Sequence, residues 1–160
     1  MSELRNNQLV LTQDELNLIL ANEVPESEVF VDYAGKKRTF KYYYCPCAGG
    51  FLLCAREFKQ QGKGYEFEVF SGIHSGCREH PKKLIGELRA KIRKRLSVQY
   101  LDKGMTCGYS FNHKTVKGQV AYQGVVIDGV FIDGNDFAEM MDAYEGFYFE
   151  LKFKELDEEN

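Results

Sequence analysis

The sequence predicts a single α+β domain: a mostly antiparallel β-sheet, built of hairpins, packed against one main helix and a short C-terminal helix. Three observations lead there. Aromatic and β-branched residues fall in alternating runs, which suits the pleated, half-buried surface of a strand. Turn signals recur between those runs, so successive strands join as hairpins and not through the crossover helices of a doubly wound parallel sheet. One stretch, residues 81–96, instead carries its apolar residues at helical spacing.

The 160 residues suffice for one domain, which at this size buries about 70% of its unfolded surface. With only three prolines and no Ser/Pro/Gly-rich linker, we expect one domain over residues 1–160, frayed at 1–8 and 155–160. Apolar residues make up 44% and charged residues 28%, the balance of a globular chain.

Taken in order, Thr12-Gln13-Asp14-Glu15 is a capping-box pattern, with a hydroxyl at the N-cap and a carboxylate three residues on. Leu16, Ile19 and Leu20 follow as an apolar stripe, so a helix is predicted over 13–22, ended by Pro25. Residues 29–31 and 38–44 read as strands about a turn at Ala34-Gly35-Lys36-Lys37, and Cys45-Pro46-Cys47-Ala48-Gly49-Gly50 breaks the pattern. A second hairpin joins 51–58 to 65–70 through Gly62 and Gly64; Tyr65, Phe67 and Val69 alternate with Glu66, Glu68 and Phe70.

Pro81 opens the main helix, where its missing N–H costs nothing, and Leu84, Ile85, Leu88, Ile92 and Leu96 form the buried face. Residues 109–111 and 119–122 suggest two short strands about a turn at 114–118. Asp128-Gly129, between two apolar triplets, is the dipeptide of a type I′ hairpin. Asp133 or Asn135 caps a last helix running to Tyr144, with Gly146 at C′. Residues 147–153 complete the domain as a strand.

Two blocks of the chain resemble an uncharacterised family of small bacterial proteins, a domain of unknown function. The first is Gly64-Tyr65-Glu66-Phe67-Glu68-Val69 with 84–92 and 96–101; the second is Val126-Ile127-Asp128-Gly129, Phe137 to Met141, Tyr144-Glu145-Gly146-Phe147 and 149–152. The resemblance implies the fold and a bacterial origin. It carries no catalytic residues across.

Neither a secretory signal nor an apolar run long enough to cross a bilayer is present, so a soluble cytoplasmic protein is expected. In that compartment five cysteines read as thiols or ligands, not as a disulfide framework. A net charge of −3 conceals a polarity: residues 82–95 hold seven basic residues and one acid, whereas 125–160 hold eleven acids and two lysines.

Three groupings bear on function. Cys45 and Cys47 precede a hairpin, and Cys77 and His80 precede a helix, loosely the layout of a treble-clef zinc site, although Cys-x-Cys is tighter than the usual spacing. The basic helix offers Lys82, Lys83, Arg89, Lys91, Arg93, Lys94 and Arg95 to phosphates or to an acidic partner, with Tyr42-Tyr43-Tyr44 as stacking platforms. A Cys77 nucleophile with His80 or His74 as base has no recognised cysteine-enzyme motif behind it. Cys54 reads as core, Asp128 as a turn residue, and Asp133 and Asp136 as the cap and first turn of a helix.

The function expected on this basis is a non-enzymatic binding or interaction module, with a protein partner or a second copy favoured. The alternative is a small zinc-stabilised nucleic-acid-binding protein using residues 82–95; an enzyme ranks third.

Overall fold

In the computed structural model, which describes residues 3–5, 8–10, 13–47, 50–74, 77–78, 81–104 and 107–158, a short antiparallel pair opens the chain. β1 (Glu3–Arg5) pairs with β2 (Gln8–Val10), where the sequence predicts a frayed end. Helix α1 (Gln13–Glu23) sits where the apolar stripe places it and sends Leu20 into the core; Thr12 of the capping box lies outside the described residues.

The largest sheet has the order β3-β4-β5-β6-β7, formed by β3 (Ser27–Val31), β4 (Lys37–Cys47), β5 (Gly50–Glu57), β6 (Glu66–His74) and β7 (Cys77–Arg78), every pairing antiparallel. Cys45-Pro46-Cys47 does not break β4. It continues the ladder, with Cys45 opposite Leu52, Pro46 opposite Phe51 and Cys47 opposite Gly50. The proline is tolerated because β3 pairs with β4 only as far as Lys41, leaving residue 46 on a one-sided stretch whose missing N–H need face no neighbour.

Alternation along these strands puts Phe40, Tyr42, Phe51, Leu53, Ala55, Phe67 and Val69 on one face. Against that face lies α2 (Pro81–Leu96), whose predicted stripe Leu84, Ile85, Leu88, Ile92 and Leu96 is buried throughout. Phe40 and Leu88 are both 0% exposed, so truncating Leu88 to Ala should cost about 2–5 kcal/mol through lost contacts and the cavity left behind.

Beyond α2 the chain builds a second, smaller core. β8 (Leu101–Lys103), not foreseen from the sequence, pairs with β9 (Tyr109–Phe111). β10 (Gln119–Ala121), β11 (Gly124–Ile127) and β12 (Val130–Asp133) form a three-stranded meander, so the predicted strands at 109–111 and 119–122 do not pair with each other. Asp128 and Gly129, at φ +50° and +71°, make the left-handed turn that the dipeptide implies. Asp133 caps α3 (Gly134–Met141) by accepting from the N–H groups of Asn135 and Asp136 at 2.8 and 2.9 Å. A 3₁₀ turn over Asp142–Tyr144 follows, and Gly146 takes φ +83° beyond it.

Leu101, Ile127, Ile132 and Met140 are buried together in this second core, apart from the cluster beneath α2. The fold class is α+β as predicted. The C-terminal helix, however, packs on the small meander and not beside α2 on the large sheet.

The predicted last strand at 147–153 is a correction. Residues 147–155 pair with no described strand, and Leu156–Glu158 forms a 3₁₀ turn against β6 where a frayed tail is predicted. The Lys91 ammonium holds that turn: Nζ donates to the carbonyls of Leu156 and Asp157 and to that of Glu68 on β6. With the tail already occupying the β6 edge, the alternating segment before it has no local ladder to join.

Candidate functional site

The polar interior is concentrated where the two cores meet. Asp32, Arg38 and Asp128 are all buried there, and each has a partner that accounts for its charge. Asp32 follows β3: its Oδ1 accepts from the N–H groups of Ala34 and Lys36, closing the first hairpin turn, and its Oδ2 accepts from Arg38 Nε at 2.8 Å. Burial alone would raise the Asp32 carboxyl, but the Arg38 bond and the two backbone donors outweigh it and hold the group below the usual carboxylate range. Arg38 also donates from Nη1 to Glu57 Oε1 at 2.8 Å and lies 5.3 Å from the centre of the Tyr65 ring.

Asp128 works harder than a turn residue. Its Oδ2 accepts from the N–H groups of both Tyr100 and Leu101 at 2.7 Å, fixing the chain as it leaves α2 and enters the second core. Its Oδ1 faces Arg95 Nη1 at 3.8 Å, an ion pair with both side chains largely withdrawn from solvent. The Arg95 guanidinium lies 4.6 Å from the Tyr100 ring and donates from Nη2 to the Lys117 carbonyl at 2.6 Å. Gly129 sits so close to Tyr65 and Arg38 that a Cβ there would come within 2.8 Å of the ring and 2.9 Å of Nη1. Lys59 Nζ donates to the Gly129 carbonyl, and burial draws this ammonium below the usual lysine range. Gln119 Nε2 adds a bond to Glu66 Oε2. Together these residues form a latch between the two cores.

Residues 22–97 match the family model "Domain of unknown function (DUF7686)", and residues 100–158 match "Domain of unknown function (DUF7713)". The boundary falls at the end of α2, beside Tyr100 and the Asp128 carboxylate. The resemblance read from the sequence joins both stretches in one family; the matches divide them between two. No curated protein and no solved structure matches the chain.

The contacts that cross the boundary are Lys59 with Gly129, Gln119 with Glu66, and Arg95 with Tyr100, Lys117 and Asp128. Arg38, Lys59, Tyr65 and Arg95 come from the first matched segment, and Tyr100, Lys117, Asp128 and Gly129 from the second. In the sequence Arg95 and Asp128 stand out for other reasons, a basic helix face and a hairpin turn. Their pairing spans more than thirty residues, and no local pattern announces it.

The rest of the basic helix divides. Arg89 donates from Nε to Glu28 Oε2 at 2.8 Å, and Lys91 clamps the C-terminal turn. Lys82, Lys83, Arg93 and Lys94 lie on the exposed side, Lys83 at 4.0 Å from Glu87 and Arg93 with its Cζ 5.6 Å from the Phe30 ring. Of the tyrosines offered as stacking platforms, Tyr42 is buried and donates its hydroxyl to Glu28; its burial and that bond raise its pKa. Tyr43 and Tyr44 are exposed, with Arg56 near the Tyr43 ring.

Of the four metal-ligand candidates, Cys45 is exposed on β4. The side chains of Cys47 and Cys77, and all of His80, lie outside the described residues, as does the His74 side chain. The backbone register nonetheless brings residue 47 to the end of the sheet where β6 turns into β7: Cys47 pairs with Gly50, Gly50 with Gly72, and His74 with Cys77. Among the described residues no three His, Cys, Asp or Glu side chains gather as a metal site. Cys54 is buried as predicted, and burial with the nearby Glu68 carboxylate pushes its thiol up to about 11.

Five exposed apolar side chains fall in the segment the sequence marks as a strand. Phe147, Phe149, Leu151 and Phe153 are 67%, 72%, 66% and 73% exposed, and Tyr148 is 95% exposed. Phe147 continues an aromatic row out of the small core, through Phe111, Phe137 and Tyr144 with ring separations of 5.7–6.2 Å. Glu150 and Lys152 pair at 3.0 Å, which puts their side chains on the same side of the chain. No helix of the described residues is long and apolar enough to cross a membrane.

Proposed function

We propose that the protein is a non-enzymatic interaction module of a bacterial cytoplasm, engaging a protein partner through residues 147–153. The observation that carries this reading is the exposure of four large apolar side chains at alternate positions of one extended segment that joins no described strand. A contiguous apolar surface of this kind marks an interaction site, and an unpaired strand former recognises protein by adding to a sheet or to another strand. Cys45, Cys54 and Cys107 are thiols and not disulfides, which suits a reducing compartment. The buried Asp128 carboxylate and its Arg95 partner join the two cores, which supports a scaffold role for them.

The test is a photo-crosslinking residue at Tyr148 of the full chain, expressed in its host. The expected outcome is a discrete protein adduct that disappears when Phe149 and Phe153 are changed to Ser. A wild-type chain that gives no protein adduct at this position, its own included, refutes the reading.

A second reading, a zinc-stabilised nucleic-acid binder, draws on the exposed Lys82, Lys83, Arg93 and Lys94 and on the shared sheet end of Cys47 and Cys77. It requires affinity for nucleic acid that falls steeply with salt and is lost on charge reversal at Arg93 and Lys94.

A further inference from the structure

We infer that the partner of segment 147–153 is the same segment of a second copy, paired antiparallel about a two-fold axis at Leu151; the inference rests on the interaction reading above. The segment is self-complementary. With Leu151 opposite Leu151, Phe149 faces the second copy's Phe153, Glu150 faces its Lys152, and Tyr148 faces its Lys154. Over residues 149–153 one side of the ribbon is then Phe and Leu, with Phe147 facing the second copy's Glu155 at each end. The other carries two Glu–Lys pairs and two Tyr–Lys pairs, combinations that stabilise cross-strand neighbours.

The neighbouring registers lack this match. An axis at Glu150 sets Glu150 against Glu150, and an axis at Lys152 sets Lys152 against Lys152. An axis between residues puts apolar side chains opposite polar ones, because a slip of one residue sends each side chain to the other face. Parallel, in-register pairing stacks like charges at every charged position. The Leu151 axis is the one that pairs Glu150 with Lys152, and a closed two-fold contact of this kind is the commonest symmetry of soluble oligomers.

The structure also supplies the presentation. The segment is anchored at one end by the Tyr144–Phe147 ring contact and at the other by the turn Leu156–Glu158, held on β6 by Lys91. That turn packs against β6. The segment is therefore held at both ends, which lowers the ordering cost of pairing with another copy.

The experiment is sedimentation velocity of the full chain over a wide concentration range, with E150K, K152E and the E150K/K152E double variant. All the altered side chains are exposed, and unchanged thermal unfolding of each variant confirms the fold. The wild type is expected to dimerise reversibly. Each single variant sets like charges opposite each other twice per dimer and should weaken association about tenfold or more. The double variant should recover it. Mixed in equal amounts, E150K and K152E should form a heterodimer, since one chain then carries lysine at both positions and the other glutamate at both, so every facing pair is of opposite sign. A wild type that stays monomeric throughout, or single variants that dimerise as well as the wild type, overturns the inference. A foreign adduct alone in the Tyr148 crosslinking experiment overturns self-pairing and leaves the interaction reading standing, whereas absence of any adduct removes both.

Discussion

Asp128→Asn is the sharpest probe of how the two cores are joined. The substitution keeps the shape of the side chain and suits the left-handed turn, since Asn tolerates φ +50° at least as well as Asp. It removes only the charge. Two backbone donors at 2.7 Å then bind a neutral oxygen in place of a carboxylate, and Arg95 loses its buried counter-ion. Hydrogen bonds to charged groups contribute roughly 1.5–3 kcal/mol each against about 1 for neutral ones, and breaking a buried ion pair from one side costs about 3–5 kcal/mol. Because Arg95 keeps the Lys117 carbonyl and the Tyr100 ring, the cost falls below this range, at about 2–3 kcal/mol. For a chain of this length that lowers Tm by roughly 5–10 °C.

Asp128→Gly keeps the turn but removes both acceptors, and should cost more, about 3–5 kcal/mol. Thermal and urea unfolding followed by circular dichroism read these values. In an Arg95→Met background the cost of Asp128→Asn should shrink by about 1 kcal/mol or more, since the two groups are coupled. If Asp128→Asn lies within about 0.5 kcal/mol of wild type, the carboxylate is not what ties the cores together and the reasoning fails.

Gly129→Ala should destabilise by about 2–4 kcal/mol in urea melts, combining the left-handed backbone penalty with a collision against Tyr65 and Arg38. Gly62→Ala is its control: φ is +78° there but a Cβ would meet nothing within 4 Å, so only about 1–2 kcal/mol should be lost. Glu68 is raised above 4.5 by burial, with Glu66 and Asp157 adding to the effect, so between pH 4.5 and its folded pKa the native state binds more protons than the unfolded one. Stability contributed by this group therefore falls as pH rises through that window, and Glu68→Gln should raise Tm at pH 7 but leave it unchanged below about pH 4. Asp32 has the opposite sign: its lowered pKa supports the fold above the ordinary carboxylate range and is lost as pH falls, so Asp32→Asn should lower Tm at pH 7 and matter less in acid. If the Cys/His set holds zinc, untagged protein should carry about one equivalent, lost in the Cys45→Ser/Cys47→Ser variant with a fall in Tm; metal-free wild-type protein removes that reading.

Elements with a strong local period are legible in the sequence. The α2 stripe, the Asp128-Gly129 turn and the Asp133 cap each rest on contacts within a few residues, and each is where the pattern places it. What escapes depends on distant neighbours. Pro46 reads locally as a break, yet it is accommodated because β3 stops short of it, a fact of register and not of sequence. β8 has only three residues and no alternation to reveal it. Arg95 is visible as a charge on a helix, but its burial depends on Asp128 and Tyr100 folding back over it. The alternation of segment 147–153 announces its strand character; whether a neighbouring strand receives it is set by the rest of the fold.

That last distinction bears on how the two matched segments work together. The second segment begins at the latch, where Asp128 fixes residues 100 and 101, and ends on the first segment, where Lys91 grips the terminal turn. Between these two attachments it displays the aromatic strand. Cutting the Lys91 attachment would leave the segment's sequence intact but free one end of it, and a strand former loses binding strength when it must be ordered at the moment of contact. Lys91→Met should therefore weaken self-association without touching any residue of the ribbon. Sedimentation velocity at matched concentrations separates this from a ribbon that acts as an independent peptide: in that case Lys91→Met would dimerise as strongly as wild type, and the first segment would be no more than a neighbour in the chain.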